Sequence, residues 1–143
     1  MRTVAITGAK GGLGTAVVER LSREYRCLPL DRPHVDVTDE ASVRNALAEA
    51  GELYALVHLV GGWTGGTVAE TSLETWSQML TLNLTGAFVT IRESLAHLSR
   101  PGRIVAVSSI ATLTPSAGSA AYTVAKSALN ALIQTVAAEQ HGT

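Results

Sequence analysis

A chain of 143 residues can form one domain with a real core. A formal net charge of -1 with no run of Lys/Arg argues against a nucleic-acid surface, and one cysteine, Cys27, excludes an internal disulfide and a cysteine metal cluster. Hydrophobic residues make up 46% and charged residues 16%, a low charged fraction that leads us to expect a partner chain over part of the surface. No apolar run reaches membrane-spanning length, and the opening MRTVAITGAKGG lacks the apolar stretch and cleavage site of a signal peptide. A reduced, cytoplasmic protein is therefore the expectation.

Short apolar runs alternate with amphipathic stretches along the chain. Arg2 to Thr7 is rich in β-formers and stops at glycines, which predicts a buried strand. Leu13 to Glu24 repeats apolar residues at helical spacing. Arg26 to Leu30 predicts a second strand, and His34 to Val37 a third after a very short link. Asp39 to Glu49 is an alanine-rich amphipathic helix with Thr38 as its expected N-cap. Tyr54 to Val60 is nearly all apolar, as a central parallel strand requires. A glycine-rich loop, Gly61 to Gly66, surrounds Trp63. Ser72 to Leu98 reads as one long helix, capped by Ser72 and weak near Gly86. Gly102 to Ser108 predicts another strand and Ser119 to Glu139 another helix.

This alternation implies an α/β fold, a doubly wound parallel sheet of the Rossmann type with right-handed crossovers. No repeat, linker or internal boundary is visible, so residues 1–143 read as a single domain.

The first strand runs into TGAKGGLG, with Gly8, Gly12 and Gly14 where strand becomes helix. Tight turning, close approach of backbone to a pyrophosphate and close helix–strand packing each need a residue without Cβ. The free N–H groups at the helix start then face the phosphates. Asp31 ends the second strand about 20 residues further on, where a carboxylate accepts hydrogen bonds from an adenosine ribose and repels a 2′-phosphate. NAD(H) is favoured over NADP(H) on this ground, although Lys10 and Arg32 are cations that could meet such a phosphate. Asp31 also reads as an ordinary loop-start residue before Pro33.

In SAAYTVAKSALN, Tyr122 and Lys126 stand one helical turn apart and share a face. An ammonium near a phenol favours the phenolate. Alone, the pair reads rather as a helix-face aromatic beside a snorkelling surface lysine, and only beside Ser109 and the glycine loop does the chemical reading prevail.

These residues together resemble the short-chain dehydrogenase/reductase family. The TGxxxGxG form of the glycine loop, the Tyr122-Thr-Val-Ala-Lys126 match to YxxxK, Ser109 thirteen residues before Tyr122, Asn83 in TLNLTGAF and the pair Asp36-Val37 fall in that family's order. The GGWTGG loop is further similar to dihydropteridine reductase-like members. His58-Leu59-Val60-Gly61 departs from the family's NNAG: the glycine is kept and both asparagines are lost.

The resemblance implies hydride transfer between a nicotinamide and a carbonyl or alcohol carbon. Tyr122 would be the general acid/base, with Lys126 tuning it and bonding the nicotinamide ribose. Ser109, rather than the neighbouring Ser108, would hold the substrate oxygen, and Asn83 would anchor a relay water. Gly8, Gly12, Leu13, Gly14, Asp31, Asp36, Val37, Gly61, Tyr122 and Lys126 would contact the cofactor.

His58 reads as a core histidine with a hydrogen-bond partner. His34, His97 and His141 have no ligand spacing, so no metal is expected. Trp63 either lines a substrate mouth or pins its loop, and Trp76 anchors a core or interface. The helices at 72–98 and 119–139 are expected to build a homodimer or homotetramer with no nucleic-acid or membrane partner. Family members continue past the fifth helix, so the strand Arg103 to Ser108 is expected to form an exposed sheet edge. Two readings stay open: an oxidoreductase, and a dinucleotide-binding or assembly module without turnover.

Overall fold

Residues 1–140 are described by a computed structural model, and His141 lies outside them. Four parallel strands form one sheet in the order β2-β1-β3-β4: β1 (Thr3–Thr7), β2 (Arg26–Leu30), β3 (Leu53–His58) and β4 (Leu98–Ala106). Parallel neighbours need a crossover between them. Helix α1 (Gly12–Leu21) links β1 to β2, and α2 (Glu40–Ala50) links β2 to β3. Between β3 and β4 lie α3 (Leu73–Leu80), a π-helical turn (Thr81–Thr85) and α4 (Gly86–Leu95). A 3-10 turn (Ile110–Thr112) and α5 (Ala120–Gln140) follow.

The described residues form two compact units, the first made of Met1–Val60 with Gly86–Val107, the second of Gly61–Thr85 with residues 108–140. The first holds the sheet. Every residue of β1 is buried, as expected of a strand covered on both faces. Val4, Ile6, Ala9 and Ala55 centre one core, against which Val17, Val18 and Leu21 of α1 pack. At its edge the Tyr25 and Tyr54 rings stack 5.6 Å apart, with the Arg2 guanidinium 3.9 Å from the Tyr54 centroid. β2 is an edge strand and carries Pro29, which an inner strand could not accommodate. β4 is the opposite edge, and Val105 on it is half exposed. The strand order reverses between β1 and β3, the place where open α/β sheets hold ligands beyond their strand ends.

In the second unit α5 packs on α3, on the π turn and on the 3-10 turn. Its buried residues Ala121, Ala125, Leu129 and Val136 follow helical spacing. The Gly66 amide donates to Gly118 O at 2.9 Å, tying the Trp63 loop to the segment that opens α5.

Three expectations change. No strand forms at 34–37: the Asp36 carboxylate accepts from the Thr38 amide at 2.9 Å, closing a turn, while Val35 and Val37 are buried. Thr38 is not the cap of α2, because its hydroxyl donates to Asp36 at 2.7 Å and Asp39 accepts from Ala41 N instead. The long helix after Ser72 is broken by the π turn just before Gly86, and its last residue, Leu98, belongs to β4. Ser72 does cap α3, accepting from Thr75 N at 3.1 Å.

At the C-terminal ends of β1 and β3, Thr7 and His58 are both fully buried, with Thr7 Oγ1 3.0 Å from His58 Nδ1. The same hydroxyl oxygen accepts from Leu59 N at 3.1 Å. Thr7→Val keeps the shape and removes these bonds. We expect it to lower unfolding free energy by about 1–3 kcal/mol in urea titrations.

Candidate active site

The first group of predicted residues lies in the sheet unit. Gly8 turns the chain at φ +68, a conformation that suits glycine, and a Cβ there would come 3.1 Å from Val60 N. Its carbonyl accepts from Gly11 N at 3.0 Å. A Cβ on Gly14 would lie 2.0 Å from that same carbonyl oxygen, so α1 touches the turn backbone to backbone. Gly12 is different: a Cβ there would meet nothing within 4 Å. Open space thus stands before the first turn of α1, whose cap, Gly11, uses no side chain. Leu13, in that turn, is 54% exposed.

Asp31 follows directly on β2. Its Oδ2 is buried without a hydrogen-bond partner among the described residues. A buried carboxylate oxygen left unpaired is costly, and a ligand hydroxyl would satisfy it. Open space at Gly12 and the orphaned oxygen of Asp31 both fit a dinucleotide, with its pyrophosphate at the glycine turn and its adenosine ribose at Asp31. Asp36 is engaged differently. Hydrogen bonds from the Thr38 side chain and amide, then the Arg32 guanidinium, hold its carboxyl below the usual range, and both of its oxygens are used within the turn. Val37 beside it is 7% exposed.

Ser109, Tyr122, Lys126, Asn83 and Gly61 all belong to the second unit. A π turn widens the helix by one residue and often marks functional positions. Here it carries Asn83, which is fully buried. Asn83 Oδ1 accepts from Gly62 N at 3.1 Å, while Nδ2 donates to Gly62 O at 2.9 Å and to Met79 O at 3.1 Å. This two-way clasp holds Gly62, the residue after Gly61. A Cβ on Gly61 would lie 2.9 Å from both Asn83 Oδ1 and Lys126 Nζ, so the asparagine and the lysine converge on that glycine.

Lys126 is 4% exposed, and burial pushes its ammonium below the usual lysine range. Its Nζ stands 5.9 Å from the centroid of the Tyr122 ring. Ser109 caps the 3-10 turn by accepting from Ala111 N at 3.2 Å, and its hydroxyl keeps a proton to donate. Ser108, the competing serine, points to the α5 backbone at Lys126 O, 3.4 Å away. Trp63 is 64% exposed and its ring edge lies over Gly65, whereas Trp76 is partly buried.

Sequence reasoning missed Gly62 and Met79 as the partners of Asn83, and missed the pairing of Thr7 with His58. The second glycine of GGWTGG was the available signal for Gly62. Among the described residues no group of His, Cys, Asp or Glu could hold a metal, and no helix is long and apolar enough to cross a membrane.

Asn83→Ala leaves the Gly62 N–H and C=O without their side-chain partners. We expect faster hydrogen exchange at the Gly62 amide and a loss of about 1–3 kcal/mol in stability.

The sequence model of the short chain dehydrogenase family matches residues 30–143. The chain is 31% identical over 161 residues to 2,3-dihydro-2,3-dihydroxybenzoate dehydrogenase of Escherichia coli, covering 99% of this chain and 64% of that protein. It is 38% identical over 113 residues to the inactive 2-(S)-hydroxypropyl-CoM dehydrogenase 2 of Xanthobacter autotrophicus, covering 75% of this chain and 49% of that one. A solved short-chain oxidoreductase from Burkholderia thailandensis superposes with a TM-score of 0.86 at 32% identity, over 96% of this chain and 62% of that structure. The chain thus spans about half to two thirds of the length of the curated relatives it matches. With the glycine turn, the parallel sheet and the matched region in agreement, the chain belongs to the short-chain dehydrogenase family.

Proposed function

We propose that the chain serves an NAD(P)-dependent oxidoreductase that exchanges a hydride between a nicotinamide and the carbonyl or alcohol carbon of a small molecule. The observation that carries this reading is the convergence of Asn83 and buried Lys126 on Gly61, with Tyr122 one helical turn before the lysine. An ammonium is costly to bury, and such costs are tolerated where chemistry needs them.

A bound nicotinamide dinucleotide supplies or accepts the hydride. The glycine turn at Gly8, Gly12, Leu13 and Gly14 would hold its pyrophosphate and Asp31 its ribose. The Asp31 carboxylate favours NAD(H) over NADP(H), since it accepts from a ribose hydroxyl and repels a 2′-phosphate. In reduction Tyr122 gives its phenolic proton to the substrate oxygen as negative charge builds there, and in oxidation it takes that proton back. The Lys126 charge stabilises the phenolate left behind. Ser109 donates its hydroxyl proton as a hydrogen bond to the same substrate oxygen. Asn83 acts through Gly62: its side chain is engaged by that residue and by Met79, and its part is to hold Gly61 against Lys126.

Exposed Leu73, Phe88 and Val124, on α3, α4 and α5, support a homodimer or homotetramer built on these helices. We place this activity in the cytoplasm, where the lone Cys27 would stay a free thiol.

A second reading is a module that binds a dinucleotide or assembles without turnover. It is favoured by the similarity to a relative named as inactive. Tyr122→Phe separates the two. For the enzyme we expect turnover of NADH with a panel of carbonyl compounds to fall about a hundredfold or more, while NADH still binds. A wild-type chain that binds NADH and reduces none of the panel would establish the second reading.

A further inference from the structure

The turn after β2 carries Asp31, Arg32 and Asp36 within six residues. Asp36 is held from three sides. Its amide donates to Ser42 Oγ at 3.0 Å, fixing its main chain to α2. Its Oδ1 accepts from the Thr38 amide at 2.9 Å and the Thr38 hydroxyl at 2.7 Å. That leaves Oδ2, which receives the Arg32 guanidinium at 2.7 Å. Arg32 itself is open to solvent, its side chain 74% exposed.

Arg32 is cancelled at contact by a carboxylate whose orientation Thr38 has set. Asp31 Oδ2 stays buried without a hydrogen-bond partner among the described residues. A ribose hydroxyl asks nothing of Arg32. A 2′-phosphate would need it, because guanidinium is the natural fork for a phosphate. To take Arg32 the phosphate would have to break the pair and then face the freed Asp36 carboxylate.

We propose that Asp36 is a positioning residue for cofactor choice: by holding Arg32 it denies an adenosine 2′-phosphate its cation and so selects the dinucleotide without one. This rests on the reading that the turn binds a dinucleotide. A solvent-exposed ion pair is weak, so the selection is graded, on the order of fivefold.

The test is fluorescence titration of the full 143-residue chain with NADH and with NADPH, for the wild type, Asp36→Asn, Arg32→Ala and the double variant. Asparagine keeps an oxygen for Thr38 and loses the charge that holds Arg32. The ratio of NADPH to NADH affinity is expected to rise about fivefold in Asp36→Asn and to return to the wild-type ratio in the double variant. Arg32→Ala alone is expected to leave both affinities within about twofold of wild type, since the held arginine contributes to neither.

A selective loss of NADPH affinity in Arg32→Ala would overturn the proposal even if Asp36→Asn failed to fold. An unchanged ratio in a folded Asp36→Asn would overturn it too, as would a gain that persisted in the double variant, which would assign the cation to another residue such as Lys10. A wild-type chain that bound neither nucleotide would remove the dinucleotide reading, and this proposal with it. Wild-type NADH binding with no response to Asp36→Asn would remove the proposal alone.

Discussion

Gly14 has no side chain, and the carbonyl of Gly8 occupies the place where one would begin, 2.0 Å from its Cβ position. That contact lets α1 start directly against the end of β1. Once it does, Gly8 must turn with positive φ and lie against the Leu59–Val60 peptide, which fixes the end of β1 beside the end of β3. Buried Thr7 and His58 close the same junction from below through their side chains. The open space at Gly12 and the unpaired Asp31 oxygen are left around it. Backbone packed this closely would accept neither a methyl group at position 14 nor a shift of either strand, so the turn is set by sterics alone.

A second glycine plays the corresponding part in the other unit. Gly61 is small enough for Asn83 and Lys126 to approach the same point, and Asn83 holds it there through both polar atoms of Gly62. The π turn carries Asn83, fully buried. Burial of Lys126 disfavours its charge.

Much of this was legible before the structure. The glycine turn could be read because φ and close packing demand glycine at particular positions, and the buried strands because a parallel sheet needs unbroken apolar runs. The Tyr122 and Lys126 pairing followed from helical periodicity. Other features escaped for physical reasons. Val35 and Val37 bury alternate residues like a strand, yet the hydrogen bonds of Asp36 with Thr38 close a turn that period alone does not reveal. The π turn departs from helical spacing over five residues, too few to disturb the apolar pattern around it. Asp31 was placed correctly at the end of β2, but no pattern could show that one of its oxygens would be buried without a partner. The capture of Arg32 by Asp36 is likewise a matter of side-chain geometry, invisible to charge counting.

The central proposal is that the glycine turn and Asp31 form one dinucleotide cradle. Equilibrium binding of NADH to the purified chain, compared with Gly14→Ala and Asp31→Ala, tests it. Saturable binding by the wild type that both substitutions weaken by about tenfold or more is the expected result. Binding that neither substitution alters would place the nucleotide elsewhere and contradict the account.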